Sequence, residues 1–233
     1  MTSFPNTTWG MVLSVQKPVT SAERREGMEK LCRRYWEPIF SYARAAWAPT
    51  EEDARDLTQD FFTWLLETDV LVRFEPARGS FRHYMKGLLR NFSRNAAQAA
   101  RALKRGGGKV IVPLDEALAP ALADGRRAEA EAAFDRAWVA EVMKRAVERA
   151  RENLATGKRA KQWRVFEEYD LVAEKDRPTY AALGERHGLK ESDVRNALYA
   201  IREKVRDEVR AELRDTVSDP RDLEDEWRRV VGP

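Results

Sequence analysis

The sequence predicts an all-α protein of two small helical domains, an N-terminal helical bundle and a C-terminal helix-turn-helix domain, joined by a flexible connector. Apolar residues recur three and four positions apart over most of the chain, which is typical of helices with one buried face. No stretch alternates for long with period two, and the one β-prone run, VIVPL at 110–114, is short and contains proline. Gly, Pro and Ala mix after about residue 100. The predicted division is therefore 1–100, a linker over 101–126, and 127–233.

Composition and charge narrow the class of protein. Of the 233 residues, 35% are charged and 43% are hydrophobic, which favours a folded, soluble chain over a disordered one. The pI of about 9.0 indicates a basic bias that permits a nucleic-acid partner. We find neither an apolar run of membrane-spanning length nor a signal-peptide pattern, and Cys32 has no second cysteine to pair with. These features predict a cytoplasmic protein without a membrane span.

Residues for metal or nucleophile chemistry are scarce. The two histidines are far apart in sequence, and no Cys/His spacing resembles a zinc site. RGGGK at 105–109 lacks the first glycine and the Ser/Thr of a phosphate-binding loop, so a flexible connector is favoured. No base, nucleophile and orienting group occur in a recognisable pattern. We therefore predict no catalytic residue, no metal, no cofactor and no enzymatic activity.

Three helices are predicted in the first domain. The first covers about 20–47, and Pro38 is expected to kink or divide it. The second is EEDARDLTQDFFTWLL at 51–66, for which Thr50 is a candidate N-cap. The third covers about 79–102. The apolar stripe of the first helix is predicted to be buried and consists of Met28, Leu31, Tyr35, Ile39 and Tyr42.

The second helix has a row of carboxylates opposite its apolar stripe. Asp53, Asp56 and Asp60 lie on this face at positions i, i+3 and i+7. Arg55 interrupts the acidic run in sequence and lies four residues after Glu51, so an exposed ion pair between these two side chains is expected.

The segment PTYAALGERHGLKESDVRNALYAIREKV at 178–205 predicts a helix-turn-helix. A short helix over about Thr179–His187 ends at Gly188, which can adopt the left-handed conformation, and a second helix begins near Ser192. The exposed face of the second helix carries residues that can contact phosphates and base edges in a major groove. The alternative is a solvated face on a plain helical hairpin. SDP at 218–220 predicts the start of a last helix, which is expected to pack on the second domain.

The ordered set of motifs resembles a sigma factor of bacterial RNA polymerase, of the small extracytoplasmic-function type. DARDLTQDFF at 53–62 resembles the acidic DAED-L-x-Q-E-x-F signature of that family. FEPARGSFRHYMKGLLRN at 74–91 is similar to its F-x-x-x-x-x-F-x-x-W-L-x-x-I-x-R-N segment. TTWGMVL, LCRRYWEPIFSYAR, the GGG connector and RDTVSDP are similar to a subgroup with kinase-linked relatives. Together these segments cover most of the chain.

The resemblance implies partners and roles for particular residues. The partners are core RNA polymerase and promoter DNA, with an anti-sigma factor or a Ser/Thr kinase as a further candidate. The acidic helix is expected to dock on the clamp helices of the largest polymerase subunit through Asp53, Arg55, Asp56, Gln59 and Asp60. The segment Phe74–Phe81 is expected to shape a pocket for an unpaired base of the −10 element. Binding of the −10 element as a whole, including its phosphates, is assigned to Phe74, Arg82, Lys86, Arg90, Asn91 and Arg94. Contacts to the −35 element are assigned to Lys190, Ser192, Arg195, Asn196, Tyr199 and Arg202.

Arg55 departs from the family pattern because it stands where the family usually has an acid. Its positive charge is expected to weaken docking. One hypothesis is that phosphorylation of Thr58 restores the missing negative charge; the alternative is that Thr58 is an ordinary buried threonine. Two other functions stay open: a helix-turn-helix regulator that acts without polymerase, and a degenerate sigma-like protein that sequesters a partner.

Overall fold

The computed structural model describes residues 20–46, 48, 50–75, 79–104, 124–214, 216–217 and 220–232. The side chains of 93–104, 124–125 and 220 lie outside this description, as do the GGG connector and VIVPL. The described part contains helices and short 3-10 turns and no strand, so the prediction of an all-α protein is confirmed. The helices are α1 (Ser21–Ala46), α2 (Glu51–Glu67), α3 (Phe81–Lys104), α4 (Asp124–Leu154), α5 (Ala160–Asp170), α6 (Tyr180–His187), α7 (Glu191–Arg214) and α8 (Pro220–Val231). Within the described residues, none of these helices combines the length and apolarity needed to cross a bilayer.

The first helices follow the predicted pattern closely. Helix α1 is not divided at Pro38, which lies buried inside it. Thr50 forms a capping box at the start of α2: its hydroxyl accepts from the backbone N–H of Asp53, and the Asp53 carboxylate accepts from the backbone N–H of Thr50. All five residues of the predicted α1 stripe are buried.

Two compact units are distinguished by their contacts, and their boundary lies inside α4. The first unit comprises residues up to Glu141 together with those from Arg214 onward, and the second comprises 142–213. This differs from the predicted boundary after residue 126. The first half of α4 belongs with the first unit because Phe134 packs against Tyr35, with ring centroids 6.4 Å apart. An uninterrupted helix gives no sequence signal for such a boundary.

The prediction that the last helix packs on the second domain is wrong. Helix α8 starts at Pro220 as expected, but its contacts group it with the first unit. Its Glu226 is 2% exposed and forms an ion pair with Arg82 of α3. The backbone N–H of Phe81, at the start of α3, also donates to the carbonyl of Thr216 just before α8. The sequence of α8 shows several acids, but it does not show that Glu226 is the buried one or that its partner lies on α3.

The second unit contains the predicted pair of helices joined by a tight turn. The Thr179 hydroxyl accepts from Ala182 N–H and caps α6. Gly188 ends α6 with φ +61°, in the left-handed conformation. The Leu189 N–H then donates to the Gly184 carbonyl at 2.8 Å and fixes the turn. The buried face of α7 consists of Val194, Ala197, Leu198, Ile201 and Val205.

Candidate nucleic-acid interface

A cavity of about 340 Å³ lies beside the first turns of α3 in the first unit. Its volume is near the lower end of the range of about 300–1,000 Å³ that is typical of small-ligand pockets. The 3-10 turn Val70–Arg73 and the residues that follow it form one wall, and α3 forms the other. The lining residues are Arg73, Phe74, Glu75, Gly79, Ser80, His83, Tyr84, Gly87, Leu88 and Asn91.

Aromatic packing and a side-chain hydrogen bond hold the walls of this cavity. The ring of Phe74 lies 5.1 Å from that of Phe81 and 5.1 Å from that of Tyr84. The Tyr84 hydroxyl donates to the carbonyl of Val70, which connects α3 to the opposite wall. Gly87 has no side chain to fill the space, and among the described residues a Cβ built there would meet the Arg90 guanidinium, at 3.9 Å. The cavity therefore depends on fixed aromatics and on a small residue in the helix.

The polar side chains of the cavity offer both donors and acceptors. The Ser80 hydroxyl accepts from the backbone N–H of His83 and lies 2.9 Å from His83 Nδ1. Partial burial lowers the pKa of His83, and the charges of Arg82 and Lys86 lower it further. Burial also raises the pKa of Tyr84. A neutral imidazole, a phenol and the amide of Asn91 can recognise hydrogen-bonding edges of a flat polar ligand.

Arg82 was predicted to contact DNA, but the structure places it in a buried cluster of charges. Its side chain is 1% exposed. The Nε group donates to both carboxylate oxygens of Glu226, at 3.0 and 3.1 Å, and Nη1 donates to Asp135. The guanidinium also lies 5.0 Å from the ring centroid of Trp138. In this conformation Arg82 has no surface to offer a phosphate.

Lys86 and Arg90 continue this cluster along α3. Lys86 is 8% exposed and its Nζ donates to both oxygens of Asp135 at 3.1 Å. Arg90 pairs with Glu131 at 3.3 Å and keeps 39% of its side chain exposed. The side chain of Arg94, the next predicted DNA contact, lies outside the described residues. Among the predicted −10 residues with described side chains, Phe74 and Asn91 line the cavity, whereas these three cations face acids.

Sequence reasoning missed the acids that hold this cluster. Glu131 and Asp135 are four residues apart on α4, and they match a row of cations spaced by four on α3. Arg90 pairs with the earlier acid and Lys86 with the later one, so the two helices run antiparallel. This matched spacing was a usable signal.

The acidic row of α2 is exposed, as the docking hypothesis requires. Asp56, Gln59 and Asp60 are all exposed, while the carboxylate of Asp53 is occupied by the capping box. Arg55 forms the expected exposed ion pair with Glu51, and each of the two side chains is 63% exposed. The predicted docking residues Asp53, Arg55, Asp56, Gln59 and Asp60 are thus all exposed on α2.

Thr58 is buried, which favours the ordinary structural role over the phosphorylation hypothesis. Its exposure is 0%, and its hydroxyl donates to the Ala54 carbonyl at 2.7 Å. A kinase cannot reach this hydroxyl without opening α2.

The second unit presents the predicted exposed face on α7. Lys190, Ser192 and the pair Arg195–Asn196 are exposed, and Tyr199 is 66% exposed. Asp193 accepts a hydrogen bond from the backbone N–H of Lys190 and so caps its own helix. The negative charge of Asp193 is therefore partly compensated by this hydrogen bond. The other exposed side chains of this face are suited to contact phosphates.

Arg202 differs from the other residues of this face because it is engaged by α5. Its Nε and Nη2 donate to the two oxygens of Asp170, at 2.9 and 2.8 Å. The hydrogen bond with Asp170 raises the pKa of Arg202. The guanidinium also lies 5.8 Å from the Tyr169 ring centroid. This bidentate pair positions α7 on α5, which is a sufficient structural role for Arg202.

No protein-family model, no curated protein and no solved structure matches this chain.

Proposed function

We propose that the chain is a sigma factor of the extracytoplasmic-function type, which binds core RNA polymerase and directs it to promoters. The observation that carries the proposal is the cavity beside α3. It lies where the resemblance expects a pocket for an unpaired base, and Phe74 and Asn91 belong to both the expected set and the lining. Aromatic walls with a few polar side chains suit a nucleobase removed from its stack.

The other two surfaces fit the same function. The exposed carboxylates of α2 suit a basic surface on a protein partner. The exposed face of α7, with Arg195, Asn196 and Tyr199, suits a duplex major groove. Arg55 lies beside the carboxylates of α2, so docking is weaker than an uninterrupted acidic helix allows.

The first experiment measures the affinity of the purified chain for bacterial core RNA polymerase by fluorescence anisotropy at near-physiological salt. Arg55→Glu is expected to tighten docking. Arg33→Glu is the matched control, because Arg33 is also exposed and pairs with an acid four residues earlier, Glu29. Tight binding by all three proteins would show that Arg55 does not limit docking. Binding by none of them would remove the sigma-factor function.

The second experiment fills the cavity without changing charge. Gly87→Leu is expected to reduce promoter opening by the reconstituted polymerase while leaving docking unchanged. Ala128→Leu, at an exposed position of α4, adds a similar apolar side chain elsewhere. Equal promoter opening by both variants would contradict a base-binding role for the cavity.

The alternative regulator is tested with duplex DNA. If the wild-type chain binds duplex DNA but not polymerase, and Arg195→Ala abolishes the duplex binding, the regulator that acts without polymerase is favoured.

A further inference from the structure

The acids around Arg82 come from two helices that cover one face of α3. Arg82, Lys86 and Arg90 follow one another at intervals of four residues and so lie on one face of the helix. Asp135 of α4 and Glu226 of α8 occupy that face at Arg82, and Asp135 also holds Lys86. Without these carboxylates, the face would be a basic row on the same helix that lines the cavity.

The cover leaves one polar group of this face unsatisfied. Within the described residues, Arg82 Nη2 is buried and has no hydrogen-bond acceptor. A buried guanidinium donor without an acceptor is costly, so the cluster does not use the full binding capacity of Arg82. A phosphate group carries several acceptor oxygens and can take Nε and Nη2 together as a bidentate ligand. A phosphate could therefore satisfy the Nη2 donor that the present partners of Arg82 leave without an acceptor.

Helix α8 contributes one carboxylate to the cover. It is 12 residues long, and Glu226 is its one buried charged residue among those described. The exposed Arg228 instead makes ion pairs within α8, with Glu224 and Asp225. Such exposed pairs contribute little to stability, whereas Glu226 supplies a buried carboxylate that attaches α8 to α3.

We propose that α8 is a releasable cover, so that docking of α8 on α3 and binding of a single-stranded nucleic acid by α3 exclude one another. In the docked state Glu226 binds the Arg82 guanidinium. When α8 is released, a backbone phosphate of the nucleic acid binds this guanidinium instead. This inference rests on the proposed function, because it assumes that α3 contacts nucleic acid. It adds that the free chain is held in a state of low affinity by its own last helix.

The test compares the full-length wild-type chain with Glu226→Gln and Glu224→Gln. The probe is a fluorescein-labelled 12-nucleotide single-stranded DNA of randomised sequence, and binding is measured by anisotropy. Glu226→Gln is expected to raise the affinity at least about fivefold, the lower end of typical coupling between two sites. Glu224→Gln removes the same charge at an exposed position of the same helix and is expected to bind like wild type.

Hydrogen exchange in the wild-type chain gives a second readout that needs no variant. Addition of the DNA is expected to accelerate amide exchange over 220–231, because bound DNA displaces α8. The cover would be excluded if Glu226→Gln folds, as judged by circular dichroism, yet binds the DNA no better than Glu224→Gln. Slower exchange of α8 on adding DNA would also overturn it. Docking on core RNA polymerase is measured separately. Its absence would contradict the proposed function, whereas the DNA-binding and exchange results bear on the cover.

Discussion

Arg82 and Glu226 lie 144 residues apart in the chain, yet both carboxylate oxygens of Glu226 accept from Arg82 Nε, at 3.0 and 3.1 Å. The two side chains are 1% and 3% exposed. Desolvation of two charges costs several kcal/mol each, about as much as their attraction returns. The pair therefore selects which surface α8 occupies more than it adds to net stability.

Removal of one partner of this pair is expected to be costly. Glu226→Gln leaves the buried guanidinium of Arg82 with only one of its two carboxylate partners, Asp135, so the free energy of unfolding should fall by about 3 kcal/mol. Glu224→Gln at the exposed position should change it by less than about 0.5 kcal/mol. Urea unfolding followed by circular dichroism measures both. The double variant Arg82→Met with Glu226→Leu is expected to recover most of the loss, and failure to do so would contradict this account.

Gly184 is required by the turn between α6 and α7. A Cβ at this position would lie 2.6 Å from the carbonyl oxygen of Leu189. Gly184→Ala should therefore destabilise the chain by about 2 kcal/mol, the range for an overpacked site, although alanine favours helices. Among the described residues, Gly87→Ala in the interior of α3 meets the flexible Arg90 side chain and should be neutral or stabilising by up to about 1 kcal/mol. Thermal unfolding of the two variants tests this contrast, and equal shifts would refute it.

Thr58 provides a test of the phosphorylation hypothesis. Thr58→Val keeps the shape and loses one hydrogen bond, so the expected loss is about 1 kcal/mol. Thr58→Asp places a charge at a fully buried position and should cost more than about 3 kcal/mol. A Ser/Thr kinase should phosphorylate Thr58 much faster in a peptide of residues 51–66 than in the native chain. Equal rates, measured by mass spectrometry, would show that α2 opens readily.

His83 is expected to make stability depend on pH. Its pKa is lowered in the folded chain by burial and by Arg82, Lys86 and Arg229, against the opposing charge of Glu226. The unfolded state therefore takes up the proton first as the pH falls below about 6.5, the ordinary histidine pKa, and stability declines there until the folded state is protonated as well. His83→Gln should lose this part of the pH dependence in urea unfolding between about pH 5 and 7. If the stability of His83→Gln depends on pH in the same way as that of the wild-type chain, other titratable groups cause the dependence.

Local structure was readable from the sequence, whereas the partners of charged residues were not. The N-cap at Thr50, the left-handed Gly188 and the buried stripe of α1 follow from residue types and spacing alone. The burial of Arg82 does not, because cations spaced by four residues look the same on an exposed face and on a covered one. Only the tertiary pairing with Asp135 and Glu226 distinguishes the two. For the same reason, the DNA contacts predicted from the basic residues of α3 stay a prediction.

The first unit is built from two separate stretches of chain, so its parts are synthesised at different times. Glu226 leaves the ribosome 144 residues after Arg82. At about 5–20 residues per second this delay is on the order of ten seconds. Throughout that interval the nascent first unit carries Arg82 without Glu226. A freshly made chain thus passes through a period in which Asp135 of α4 is already available to Arg82, while the second carboxylate of the cluster is still missing.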